Sequence, residues 1–268
     1  MTLGRRLAVV VFAALCLLVA GCGSDAEGPS ATTASNGSGS GLTGSITVAA
    51  ASSLTEVFTA LGDEFRSAQP GIEVTFTFNA SSTMAAQILE GAPVDVFAPA
   101  DAVNMEKLTD EGLVVDEPVA FASNELVIVT KPANPADIVG LHDLATAGVI
   151  SLCGADAPCG KFAQQALDGA GTVLDESNVT RGQNAKATLG AVAQGDAVAG
   201  IVYVTDARAA GDSVEAIAIP DDQQVVVTYS IAVMAGTSNV DAAEAWVAFM
   251  GSEAGQAILA SFGFLPPA

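Results

Sequence analysis

Cations are scarce in this chain. Nine Lys and Arg face 30 Asp and Glu over 268 residues, a formal net charge of −21. Nucleic-acid binding draws on clusters of Lys and Arg that neutralise phosphates, so a chain this acidic is excluded from that class. The same charge repels an anionic membrane surface, and any attachment to lipid has to be covalent. Histidine is scarcer still: His142 is the only one. A Ser–His–Asp triad would have to use it. It lies in Leu141-His142-Asp143-Leu144, beside an apolar helix start, the setting of a surface or capping histidine. No Gly-x-Ser-x-Gly elbow is present, and carboxylate pairs such as Asp110-Glu111 and Asp221-Asp222 read as solvated faces. An enzyme is therefore not expected.

Long apolar runs are also missing, with one exception near the N-terminus. Residues 7–19 are apolar and follow Arg5 and Arg6. At about 13 residues the run is too short to span a bilayer comfortably and reads as the core of a signal peptide, residues 1–21. It ends in Leu18-Val19-Ala20-Gly21-Cys22, which resembles the lipobox of bacterial lipoproteins, in which that Cys is lipid-modified. Residues 22–44 are then expected to be a flexible linker, rich in Gly, Ser and Thr and free of aromatics, unable to bury enough apolar surface to fold. Such a linker spans roughly 25 Å on average. The expected location is extracytoplasmic, anchored to the cell membrane through lipid alone. Loss of Arg5 and Arg6 leaves seven cations against 30 acidic residues, a net −23.

Cysteines are few as well. Cys16 leaves with the leader and Cys22 takes the lipid, so Cys153 and Cys159 remain. An even pair in an oxidising compartment, flanking the turn-like Gly154-Ala155-Asp156-Ala157-Pro158, predicts a loop-closing disulfide. No metal site is expected, because a single His and no further thiol are left to complete one.

What is present is an alternation of apolar runs and helical periods. Strands are predicted at 46–50, 72–78, 94–98, 125–130, 149–152, 198–203, 214–218 and 225–233. Helices are predicted at 54–67, 84–90, 102–110, 141–145, 160–167, 185–194, 205–209, 242–250 and 253–261. This alternation argues an α/β fold with mostly parallel sheets. Gly91 is placed as a C′ glycine, with Asp101 and Asp241 as N-caps. The strand–helix pattern runs through twice and then closes, which predicts two lobes: residues 45–123 with 228–268, and residues 124–227. A ligand would sit between them at the carboxyl ends of the strands.

Two turns carry most of the functional signal. Ala49-Ala50-Ala51-Ser52-Ser53-Leu54 and Asn79-Ala80-Ser81-Ser82-Thr83 each lead from a predicted strand into a helical segment. A helix start exposes free N–H groups and favours anions. Ser at such a place is also an ordinary N-cap, and either turn alone is equally well explained that way. Further donors stand at Pro158-Cys159-Gly160-Lys161, at Gln183-Asn184-Ala185-Lys186 and at Tyr203, which closes Gly200-Ile201-Val202-Tyr203. Tyr203 also fits a half-buried strand aromatic. Lys161, Arg181 and Lys186, the nearest cations in sequence, are expected to point outward. A pocket of uncharged donors suits a fully deprotonated tetrahedral anion. It disfavours hydrogen phosphate, whose proton would be buried without an acceptor.

In this order the motifs resemble the molybdate-binding proteins of ABC transporters. The resemblance rests on Ala49 through Thr55, Ala80 through Thr83, Gly91 through Phe97 with Ala100-Asp101, Gln183 through Lys186, Gly200 through Tyr203 with Thr205-Asp206-Ala207, and Phe262-Gly263-Phe264. It covers residues 45–264. It implies a two-lobed, type II periplasmic-binding-protein fold that closes on molybdate or tungstate, with a permease and its ATPase as partners and no cofactor. It implies side-chain ligands at Ser53, Ser81 and Tyr203, and backbone donors at Ser53, Ser81, Cys159 and Ala185. Cys159 stands where the family commonly has Ala, and Ala185 where it has Val. A receptor for another oxyanion such as sulfate is the alternative. A monomer is expected.

Overall fold

The computed structural model describes residues 41–267. The expected signal peptide, the lipidated Cys22 and most of the expected linker lie outside the described residues.

The chain enters through β1 (Gly44–Ala51), a 3-10 turn at Ser52–Leu54 and α1 (Thr55–Ala68). Helix α1 buries Val57, Phe58, Leu61, Gly62 and Phe65, the apolar stripe of a helix laid on a sheet. Then follow β2 (Ile72–Asn79), α2 (Ser81–Leu89), β3 (Val96–Ala98), α3 (Ala102–Asp110) and β4 (Val119–Thr130). Beyond β4 come a 3-10 turn at Leu141–Ala145, β5 (Ile150–Cys153), α4 (Pro158–Gly169), a 3-10 turn at Glu176–Asn178, β6 (Val179–Gly182) and α5 (Ala185–Ala193). The remainder is β7 (Ala199–Tyr203), α6 (Val204–Ala210), a 3-10 turn at Gly211–Ser213, β8 (Glu215–Ala218), β9 (Val226–Val233), α7 (Val240–Met250) and α8 (Glu253–Ser261).

The strands follow the order β2-β1-β3-β9-β4-β7-β5-β6, with β8 also paired to β4. Within the first half β1 pairs in parallel with β2 and β3. Within the second β5 pairs in parallel with β6 and β7. Antiparallel β4 and β9 join the halves, with a register shift between Ala120 and Ala122. The result is a two-lobed α/β architecture in which both parallel sets end facing one cleft. The expected lobe boundaries, after residues 123 and 227, fall inside β4 and β9, and a division there is a proposal.

The first lobe is built around Trp246 of α7. Phe58 and Phe65 of α1 meet it edge-on at centroid distances of 5.6 and 5.2 Å, and Phe76 of β2 lies 5.5 Å away. Aromatic pairs in such tilted geometry contribute about 0.5–1.5 kcal/mol each beyond the area they bury. The second lobe packs smaller side chains around Ile150, Leu152, Ala163, Leu167 and Ile201.

Several sequence expectations change. β6 was not predicted: its Val-Thr-Arg-Gly is too short and too polar to stand out, and the parallel edge of β5 recruits it. β4 begins at Val119 rather than 125, because pairing with β9 carries it through a polar Ser123-Asn124-Glu125 stretch. Residues 141–145 form a 3-10 turn, not an α-helix. Asp101 caps α3, accepting from Asn104 N–H, but Asp241 sits inside the first turn of α7, whose cap is Asn239. Gly91, with φ of 92° after α2, takes the left-handed conformation a C′ glycine supplies. His142 accepts or donates one bond with Thr172 Oγ1 at 3.0 Å and stands apart from the cleft motifs.

Candidate oxyanion site

All five predicted ligand positions line one small cleft. From the first lobe come Ala51, the last residue of β1, with Ser52 and Ser53 after it, Asn79, the last residue of β2, with Ala80 and Ser81 after it, and Ala100 after β3. From the second come Pro158 and Cys159 after β5, Asn184 and Ala185 after β6, and Tyr203 at the end of β7. Every contributor stands at or just beyond the carboxyl end of a strand, where open α/β sheets bind ligands. The cleft holds about 190 Å³ of atom-free space, its mouth included. As a cavity its volume is about 10 Å³, far below the roughly 300–1,000 Å³ of sites for organic ligands, so only a small ion is in scale with it. None of the lining residues is charged.

The two serines are not helix caps. Ala51 and Leu54 precede the helical turns beyond β1, and Ala80 caps α2; none of the three makes a side-chain cap bond. Ser81 is the first residue of α2, one position inside the cap. Its Oγ accepts from Ala100 N–H at 3.0 Å. A main-chain N–H can only donate, so the hydrogen of Ser81 is left for the cleft. Ser53 Oγ lies 2.8 Å from the hydroxyl of Tyr229. Both serines are buried. Their own N–H groups stand in first turns and have no intrahelical acceptor.

On the facing wall the donors are bare backbone. Cys159 and Ala185 are the second and first residues of α4 and α5, where N–H groups are again unpaired within the helix. Asn184 caps α5 by accepting from Ala187 N–H at 3.0 Å. Cys153 and Cys159 form a disulfide with a Cα–Cα distance of 5.7 Å, tying the end of β5 to the start of α4. Next to it a Cβ at Gly160 would overlap the carbonyl oxygen of Gly154; only glycine allows the helix to start this close to the strand. Tyr203 is buried, and its hydroxyl has no hydrogen-bond partner among the described residues. Burial, and then the nearby Tyr229, Asp206 and Asp101, hold that hydroxyl well above the ordinary tyrosine range. It therefore remains a donor at any physiological pH.

The lobes also touch beside the cleft. Asn184 Nδ2 donates to Asn79 Oδ1 at 3.3 Å. Lys186 was expected to point outward. Instead its Nζ reaches Glu56 of α1 at 2.6 Å and lies 3.4 Å from Asp206 of α6. Asp206 is fully buried, and that burial, opposed by Lys186, raises its carboxyl to about 6. Arg181 turns toward Glu176 and the carbonyl of Cys153, and Lys161 is exposed. Sequence reasoning missed Asn79, Tyr229 and the Lys186–Glu56 pair. Asn79 adjoins the Ser81 motif and was within reach. Tyr229 lies in the middle of an apolar strand with nothing local to mark it.

The arrangement can do one thing well: surround a small acceptor with N–H and O–H dipoles while keeping carboxylates and ammonium groups out of contact. That chemistry, on two lobes joined by β4 and β9, defines a ligand-binding receptor of the periplasmic-binding-protein class. Comparison with known proteins places it further. Residues 46–265 match the family described as bacterial extracellular solute-binding protein, and the chain belongs to that family. It is 36% identical over 255 residues to the molybdate-binding protein ModA of Mycobacterium tuberculosis, covering 94% of this chain and 95% of the relative. Its fold resembles the periplasmic molybdate-binding protein of Azotobacter vinelandii, with a TM-score of 0.73, 21% identity, and coverage of 83% and 100%. It also resembles the sulfate-binding protein SubI of M. tuberculosis, with a TM-score of 0.74, 20% identity, and coverage of 83% and 86%.

Proposed function

We propose that this protein captures molybdate, and tungstate with it, for delivery to an ABC importer. The observation that carries the reading is the uncharged, donor-rich cleft, into which Ser53, Ser81 and Tyr203 direct hydroxyls while Cys159 and Ala185 direct N–H groups. The 36% identity to a molybdate-binding protein over nearly the full chain supports the same ligand.

Hydrogen bonds to a charged group contribute roughly 1.5–3 kcal/mol each. Helix starts add partial positive charge toward the ion. Several such bonds hold a dianion without a counter-charge. A fully deprotonated oxyanion offers only acceptors and satisfies every donor. Hydrogen phosphate carries a proton that needs a strong acceptor, and no carboxylate lines the cleft to take it; burying that proton poorly paired is costly. Sulfate has the same acceptors on a smaller frame. Donors held by helix ends and a disulfide cannot contract around it, so cavity size separates the two.

Binding between lobes favours the closed arrangement, because the ligand makes contacts there that it lacks in an open one. The closed receptor would present both lobes to a permease. The Cys22 lipid would hold it at the membrane, with more than one acyl chain needed for a stable anchor. Binding without turnover is the expected activity, in keeping with the solute-binding family to which the chain belongs.

Calorimetric titration with molybdate, tungstate, sulfate and phosphate tests this. One-to-one binding of the first two, with the last two silent, is expected. Sulfate binding as tightly as molybdate would make the protein a general oxyanion receptor. Absence of heat from all four would sink the reading.

A further inference from the structure

Behind Ser53 runs a chain of hydrogen bonds with a direction. Asn124 of β4 accepts the N–H of Glu125 through Oδ1 at 3.0 Å. A main-chain N–H only donates, so this bond decides which end of the Asn124 amide is oxygen. The Nδ2 end then donates to Thr205 Oγ1 at 2.8 Å and toward the Tyr229 hydroxyl oxygen at 3.4 Å. Tyr229 of β9 stands next, 2.8 Å from Ser53 Oγ. Asn124 and Tyr229 are both fully buried, and burial holds the Tyr229 hydroxyl above the ordinary tyrosine range. It keeps its hydrogen. Two hydroxyls stand beside it, those of Ser53 and Tyr203; Ser53 Oγ, at 2.8 Å, is the one within hydrogen-bond distance and takes that hydrogen. Ser53 then turns its own hydrogen into the cleft.

Ser81 reaches the same state by a different route, since a main-chain N–H from Ala100 occupies its oxygen. That bond cannot reverse. The bond from Tyr229 can, because a phenol both donates and accepts. The donor character of the cleft is therefore secured on the Ser81 side by backbone and on the Ser53 side by one side chain.

We propose that Tyr229, seated by Asn124, is a positioning residue that commits Ser53 to donate and thereby sets the preference of the cleft for an oxyanion carrying no proton. This rests on the oxyanion reading above. With Phe at 229, both lone pairs of Ser53 Oγ are open, and Ser53 can accept from a protonated anion. The Tyr229 ring itself packs edge-on against Phe121, Tyr203 and Phe264, contacts that a phenylalanine keeps.

The experiment measures molybdate and phosphate affinities near pH 7.5, the latter by competition, for wild type, Tyr229→Phe and Asn124→Asp. In Asn124→Asp a carboxylate that only accepts draws the Tyr229 hydrogen away from Ser53 while leaving the ring and hydroxyl in place. Both variants are expected to bind molybdate about tenfold more weakly. The preference for molybdate over phosphate should fall by at least the same factor. A purely structural role would lower the melting temperature and both affinities together and leave the preference unchanged; that outcome overturns the proposal. If Tyr229→Phe does not fold, Asn124→Asp decides by the same ratio. Failure of the wild type to bind molybdate overturns the oxyanion reading and this proposal with it, whereas a normal wild type with an unchanged ratio in the variants overturns this proposal alone.

Discussion

The two walls of the cleft meet the same demand by opposite means. The first lobe supplies hydroxyls: Ser53 and Ser81, each with its oxygen already engaged, by Tyr229 and by Ala100 N–H. The second lobe supplies main-chain N–H groups at Cys159 and Ala185, whose side chains take no part, and one phenol, Tyr203, that has no hydrogen-bond partner among the described residues. A hydroxyl donor depends on its side chain and on what orients it. A backbone donor depends only on where the helix begins. On the proposed function, Cys at 159 and Ala at 185 would serve as well as any other residue there: the fold, not the residue, makes the donor. The walls differ in their buried carboxylates too. Asp101, beside the first wall, is satisfied by the N–H and amide of Asn104. Asp206, behind the second, has Lys186 at 3.4 Å as its charge partner.

If the hydroxyl wall is as dependent on side chains as this comparison implies, removing both hydroxyls should have the largest effect. Ser53→Ala with Ser81→Ala deletes two bonds to the ion, roughly 3–6 kcal/mol together. Molybdate binding should fall by more than a hundredfold, below detection in an ordinary titration, while circular dichroism still shows a folded protein, its melting temperature lowered because Ala100 N–H and the Tyr229 hydroxyl lose their partners. Tight binding by the double variant would remove both serines from the site.

The buried Asp206 behind the second wall predicts a pH dependence of stability. The Asp206 carboxyl is raised by burial from 3.8 to about 6. The native state therefore holds this proton more firmly than the unfolded chain does. Its contribution is fully present below about pH 4 and is lost as pH rises through 6. Two pKa units correspond to on the order of 3 kcal/mol. Urea unfolding from pH 4 to 8 should show wild type losing stability relative to Asp206→Asn across that window. Parallel curves would mean that Lys186 fully offsets the burial of Asp206.

The smallest of these effects tests the backbone wall. Ala185 is the first residue of α5, a position that tolerates proline, and the extended Asn184 before it, with φ −156° and ψ 178°, suits a following proline. Ala185→Pro deletes one N–H with little cost to the helix. Molybdate affinity should drop about tenfold or somewhat more, with no change in melting temperature. An unchanged affinity would show that this N–H does not touch the ion.

Much of the site was legible because it is local. A strand, a turn with paired serines and a helical period occupy a dozen consecutive residues, and such a segment places N–H groups wherever it occurs. The five ligand positions follow from that grammar and from the family resemblance. The error at Lys186 has a different origin: its partner Glu56 is 130 residues away, and no local pattern announces an ion pair across a cleft. β6 was missed because its four residues have no period of their own and become a strand only against β5.

By itself the sequence determined the sign of the surface charge, the class of partner that charge excludes, the alternation of strand and helix, and the presence of donor-bearing helix starts. These depend on composition and on hydrogen bonds between near neighbours. Tertiary structure alone decided that four such turns and the end of β7 face one another, that Tyr229 stands behind Ser53 across a separation of 176 residues, and that Lys186 bridges the lobes. Contacts of that range are set by sheet order and register, which arise from the summed packing of the whole chain and leave no periodic trace at either partner.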